Sequence, residues 1–142
     1  MLRSIESARQ SIRLAGYSFT STDVVRALIA AHRRGVDVRV VVDQRGNAGK
    51  SSRAALNMLA GAGIPTRTVS AYAIHHDKYI VIDAATVETG SFNYTAAAAK
   101  RNSENALQVS ACPALAARYL EHWQSRWRQG VEWSRRIEEQ QT

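Results

Sequence analysis

Hydrophobic and polar positions along the chain change period several times, and each change marks an element. After a helical opening segment, SIRLAGYSF (11–19) alternates with a period of two, which predicts a strand. STDVVRALIAAHRRG (21–35) begins with capping residues, carries apolar side chains at helical spacing and stops at Gly35. VDVRVVVD (36–43) is β-branched and nearly continuous, the pattern of an inner strand covered on both faces, and SSRAALNMLAGAG (51–63) is again helical. The first half therefore reads β-α-β-α.

A short strand at residues 66–69 follows. KYIVID (78–83) and ATVETGSF (85–92) then predict two strands meeting near Asp83 to Ala85 as a hairpin. An Ala-rich helix (95–100), the strand ENALQVS (104–110) and a last helix from Pro113 to Gln129 complete the pattern. On that last helix Tyr119, Trp123 and Trp127 recur every four residues; this fits a stripe facing the core better than a platform for stacking bases. The simplest architecture is α/β, a mixed β-sheet flanked by helices on both faces.

The 142 residues, 45% hydrophobic, suit a single domain over 1–142, with about 131–142 as a polar C-terminal tail that frays. Nineteen Lys and Arg against twelve Asp and Glu give a net charge of +7, which favours polyanionic partners, nucleic acid or anionic lipid, without indicating chemistry. Cys112 is the sole cysteine, so no internal disulfide can form, and no Cys/His cluster has zinc spacing. We expect Cys112 to be a small buried apolar residue, and no metal or cofactor. The N-terminal stretch MLRSIESARQSIRLAGYSF is broken by charge every few residues, so it reads as neither a signal peptide nor a membrane span.

Two adjacent histidines head the strand in IHHDKYIVID (74–83). Alternation puts His76 and Lys78 on one face and His75 and Asp77 on the other, where His75 is expected to pack. Ser91 and Asn93 share a parity in the later strand, after Gly90, whose missing side chain allows a close backbone approach to a ligand. Neighbouring strands would gather imidazole, ammonium, hydroxyl and amide. That set suits a phosphodiester: Lys78 neutralises non-bridging oxygens, Ser91 and Asn93 donate hydrogen bonds, and an uncharged imidazole attacks phosphorus. An isolated His-x-Lys is more often a satisfied histidine beside a snorkelling lysine, so the surrounding residues decide.

His76-x-Lys78, four residues, Asp83, six residues, then Gly90-Ser91-Phe92-Asn93 resembles the HKD signature of the phospholipase D superfamily. VETGSFNYT followed by NSENA is similar to the small bacterial Nuc-type endonucleases of that superfamily, and the likeness runs from about Ile5 to Gly130. The resemblance implies a phospholipase D-like α/β/α sandwich. It also implies that His76 is a nucleophile forming a covalent phosphohistidine, that Lys78 and Asn93 bind phosphate with Ser91 assisting, and that Glu104 holds the second ring nitrogen of the histidine. Asp83 has the opposite parity to His76, and we expect it to be a structural carboxylate fixing the turn after the strand.

In this superfamily the general acid is the histidine of a second HKD motif, and here His32, His75 and His122 have no lysine two residues on. The resemblance therefore implies a homodimer whose two-fold axis joins two His76 side chains in one site. The expected activity is a metal-independent, sequence-nonspecific endonuclease acting on DNA, with RNA as a further substrate. Two alternatives stay open: a phospholipid-cleaving enzyme, although no basic interfacial helix favours membranes, and a nucleic-acid-binding module that has lost turnover.

DQRGNAGKSS (43–52) lies between a strand and a helix and imitates a phosphate-binding P-loop, but Gln44 stands where the first glycine is needed. It reads instead as a flexible basic loop near the site, with Arg45, Lys50 and Arg53 as nucleic-acid contacts or as solvated charges. Family resemblance implies a periplasmic or secreted location, whereas the N-terminal residues as written imply a cytoplasmic one, and the sequence leaves the two open.

Overall fold

Helices and strands alternate where the hydrophobic period changes. The computed structural model describes residues 1–134. Helix α1 (Leu2–Ser7) leads into strand β1 (Ser11–Gly16), followed by α2 (Thr22–Arg33), β2 (Asp37–Asp43), α3 (Lys50–Gly61) and β3 (Thr66–Val69). Helix α2 starts where the Ser21 side chain accepts from the Val24 amide at 3.3 Å, and it is followed by Gly35 in the left-handed region at φ 92°. Strands β4 (Tyr79–Ile82) and β5 (Thr86–Gly90) form the hairpin, turning at Asp83 and Ala84 with φ of 54° and 53°. Helix α4 (Ala96–Lys100), β6 (Ala106–Val109), α5 (Pro113–Gln129) and β7 (Val131–Glu132) complete the order.

One mixed sheet results, ordered β6-β5-β4-β1-β2-β3-β7. Strands β1, β2 and β3 run parallel, as their helical crossovers require; β4 joins β1 antiparallel, and the hairpin carries β5 and β6 outward. The two-residue alternation then builds two cores. Ile12, Leu14, Val38, Val40, Val42, Ile80 and Ile82 meet Val24, Leu28, Leu56 and Leu59 of α2 and α3 on one face. Ala15, Val41, Tyr79, Val81 and Val87 meet Trp123 and Trp127 of α5 on the other. The two indoles stack at 4.9 Å, and Trp123 Nε1 donates to the Leu14 carbonyl at 2.9 Å. The aromatic stripe is thus core, with Tyr119 half-buried at its edge.

Three local expectations change. Residues 131–134 do not fray: Val131 and Glu132 pair with β3, and the Trp133 indole donates to Asn57 at 2.9 Å, because the open edge of β3 offers unpaired backbone groups. Residues 135–142 of the expected tail lie outside the described residues. The loop after β2 is not loose but forms a 3-10 turn (Arg45–Asn47), since Asp43 and Asn47 side chains satisfy its backbone. Cys112 is half-exposed as the residue that opens α5 rather than a core residue.

Candidate active site

The site lies where the parallel strands β1 and β2 end and the chain enters β4, the end of an α/β sheet where ligands commonly bind. His75 to Lys78 precede β4 outside any strand, and the expected alternation reaches the two histidines: His75 is 2% exposed while His76 is open to solvent. The last residue of β2 fixes this run. Buried Asp43 accepts from the His75 amide at 2.8 Å through Oδ1 and from the Gly46 amide at 2.7 Å through Oδ2. Its carboxylate ties the 3-10 turn to the backbone next to His76.

Tyr17, the first residue after β1, is a member that sequence reasoning missed. Its ring lies 5.0 Å from the His76 ring and 5.8 Å from Lys78 Nζ. Asn47 holds it there, donating to the carbonyl of Tyr17 and accepting from the Phe19 amide at 2.8 Å. Gly46 makes the room: a Cβ at that position would lie 2.4 Å from the Tyr17 ring. The false P-loop thus serves the site through packing. The one sequence signal was an aromatic residue at the carboxyl end of a strand opposite a glycine.

Across the site, β5 ends at Gly90, so strand parity does not govern Ser91 and Asn93. Ser91 Oγ donates to Glu104 Oε2 and accepts from the Asn105 amide at 3.1 Å. The other oxygen of Glu104 accepts from Asn102 at 3.3 Å. Glu104 is therefore bound to Ser91 and Asn102 instead of to the His76 ring, although its charge acts on Lys78. Gly90 admits the chain entering β6, since a Cβ there would lie 2.1 Å from the Asn105 carbonyl oxygen, and it also lines the cleft beside His76 and Lys78. Asn93 carries a buried Oδ1 with no hydrogen-bond partner and lines, with Glu104, a cavity of about 490 Å³ reaching towards α1 and α4.

Asp83 stands away from this group. Its carboxylate accepts from the amides of Arg9, Gln10 and Ser11 at 2.7–3.1 Å, holding the turn into β1 as well as its own. Arg45 is exposed and donates to the Ala73 carbonyl at 3.4 Å, close to the His76 segment. Lys50 is exposed at the start of α3, and Arg53 is half-buried one turn on with its Nε unpartnered; neither is hydrogen-bonded to the site.

A cleft of about 470 Å³ opens beside His76 and Lys78 and is closed by Arg118, Tyr119 and His122 of α5. Burial holds the Lys78 ammonium below its ordinary pKa, against the pull of Asp77 and Glu104. Burial acts to raise the Asp77 carboxyl, but the His75 imidazole, with the charges of His122 and Arg126, brings it below the usual carboxylate range. Asp77 Oδ2 lies 2.9 Å from His75 Nε2, a short contact whose angle is not that of an aligned hydrogen bond. Among the described residues no group of three or more His, Cys, Asp and Glu side chains could hold a metal ion.

This architecture has known relatives. Nuc of Salmonella typhimurium, a phospholipase D family member, superposes with a TM-score of 0.92 at 55% identity, covering 93% of this chain and 87% of that one. A phospholipase D of Rickettsia bellii (strain RML369-C) is 40% identical over 122 residues, 86% of this chain and 59% of that protein. A mitochondrial cardiolipin hydrolase of Xenopus laevis is 36% identical over 107 residues, 75% of this chain and 50% of that protein. The chain thus spans about half to three fifths of these curated relatives. Residues 1–127 match the family described as cardiolipin synthase, PLD-like domain. With that match and the seven-stranded sheet it shares with Nuc, the chain belongs to the phospholipase D superfamily.

Proposed function

We propose that this chain is a metal-independent phosphodiesterase that cleaves nucleic acid, DNA first and RNA as a further substrate, as a homodimer. The observation that carries the reading is one solvent-open imidazole, His76, beside the Lys78 ammonium at the mouth of a cleft. A ring nitrogen of His76 attacks phosphorus while Lys78 and Asn93 stabilise the charge on the non-bridging oxygens; Ser91, whose one hydroxyl proton goes to Glu104, assists by holding that carboxylate. The P–N bond forms, the P–O bond to the leaving group breaks, and the protonated His76 of a second copy gives its proton to the departing oxygen. Water then attacks phosphorus, the second histidine takes a proton from it, and the P–N bond breaks to release a phosphomonoester. Glu104 acts through Ser91 and through its charge on Lys78.

Three features support this. The net charge of +7 suits a polyanion, and Nuc, at 55% identity, is matched over 93% of this chain and 87% of that one. Strand β6 begins two residues after Glu104, ends the sheet on that side and exposes Leu107 at 63%, a free edge on which a second copy can pair. The test is nicking of supercoiled plasmid in excess EDTA by the wild type and His76→Ala, prepared identically. We expect nicking by the wild type and a loss of about a thousandfold or more in the variant; equal activity removes His76 from the nucleophile role.

A second reading is a lipid phosphodiesterase, favoured by the names of the phospholipase D and cardiolipin hydrolase relatives. The same groups would serve a phospholipid diester. Hydrolysis of cardiolipin vesicles without plasmid nicking would select it.

A further inference from the structure

Helix α5 presents Arg118 and His122 four residues apart, on one side of the helix. Both line the cleft of about 470 Å³ that His76 and Lys78 also line. Arg118 is exposed and makes no ion pair or hydrogen bond among the described residues, in contrast to Arg126, whose guanidinium covers the Tyr72 ring at 4.9 Å. His122 is fixed from below: its Nδ1 lies 2.8 Å from the Tyr79 hydroxyl, and the two rings meet edge on at 5.6 Å.

Burial raises the pKa of the Tyr79 hydroxyl, so it keeps its proton and can donate to Nδ1. Burial also lowers the pKa of His122, which favours the neutral imidazole, and in the tautomer that accepts the Tyr79 proton on Nδ1 the ring carries its own proton on Nε2. Nε2 makes no hydrogen bond among the described residues and remains a donor. The acidic member of the cleft, Asp77, is drawn towards His75. One free guanidinium and one neutral N–H donor therefore line the same cleft as His76 and Lys78.

We propose that this cleft is a second phosphate subsite, which takes the phosphodiester next to the scissile one in a nucleic-acid strand. Arg118 supplies the charge and fork geometry suited to a phosphate, and His122 adds a hydrogen bond that orients it. The proposal rests on the nuclease reading. A substrate with a single phosphodiester has nothing to put there, so the subsite selects polymers over small diesters.

The experiment measures kcat/KM in EDTA for a single-stranded oligonucleotide and for bis(p-nitrophenyl) phosphate, across a salt series. It uses the wild type, Arg118→Gln and Arg128→Gln. Arg128 is exposed on the same helix outside the cleft, so its variant removes the same charge elsewhere. We expect Arg118→Gln to lower the ratio of oligonucleotide to small-diester kcat/KM about tenfold. Its salt slope should fall by about 0.7. Arg128→Gln should leave the ratio within about twofold. Taking the ratio cancels any general loss of active enzyme. Equal ratios in the two variants, or an unchanged ratio in Arg118→Gln while the wild type cleaves the oligonucleotide, overturn the subsite alone. A wild type that turns over the small diester but not the oligonucleotide overturns the nuclease reading, and the subsite with it.

Discussion

The ring of Tyr17 lies 5.0 Å from the ring of His76, tilted by 58°, and the Lys78 ammonium sits 5.8 Å from its centre. One aromatic face thus orders the two residues that strand alternation pairs. Because the contact is with the ring, Tyr17→Phe should keep kcat/KM within about threefold, whereas Tyr17→Leu should lose about tenfold, the scale of a partly desolvated cation–π contact. Steady-state kinetics on plasmid or oligonucleotide separate these outcomes. Equal losses in both variants would point to the hydroxyl instead.

Asn47 should matter to the site although it touches no reacting group. Its side chain is buried and serves the Phe19 amide and the carbonyls of Tyr17 and Asp43. Asn47→Ala leaves those groups unpaired, at a cost of about 1–3 kcal/mol, and frees Tyr17. Chemical denaturation should show that loss, and kcat should fall with it. Unchanged stability would mean that water replaces the amide.

Gly90→Ala drives a Cβ to 2.1 Å from the Asn105 carbonyl oxygen, a backbone atom with little freedom to yield. Strand β6 must shift, carrying with it the Asn105 amide that binds Ser91 and, one residue before it, Glu104. We expect destabilisation of about 1–3 kcal/mol. Thermal unfolding measures it, and an activity loss larger than the stability loss would locate the damage at Ser91 and Glu104.

Asp77 links stability to pH. Its folded pKa is depressed, so its contribution is present above the unfolded carboxylate value and is lost as pH falls through the folded one. Asp77→Asn should therefore be less stable than the wild type near neutrality, with the gap closing in acid. Denaturation midpoints from about pH 7 to about pH 3 check the sign. A gap that does not change with pH would assign the loss to packing.

Much of this was legible from the chain. Period-two and helical spacing located the five α-helices and six of the seven strands among the described residues, because burial on one face or both leaves a local signature. Strand β7 was not legible: Val131 and Glu132 are too short a run to show a period and become a strand only because β3 has an open edge to pair with. Asp83 could be separated from His76 and Lys78 by parity alone, but not matched to the amides of Arg9 to Ser11 that it accepts from, which are brought to it by a neighbouring strand.

The sequence by itself determined most of the individual helices and strands, the motif that carries the family resemblance and the His76–Lys78 pair, since these rest on local spacing along the chain. Only the tertiary structure decided the surroundings. Tyr17, Asn47 and Arg118 lie far from His76 along the chain and reach it because parallel strands end at one edge and α5 packs across them. It also decided that Glu104 is bonded to Ser91 and that Gly90 makes room for Asn105, since a side chain's partner is set by which backbones meet and not by the spacing of residue types.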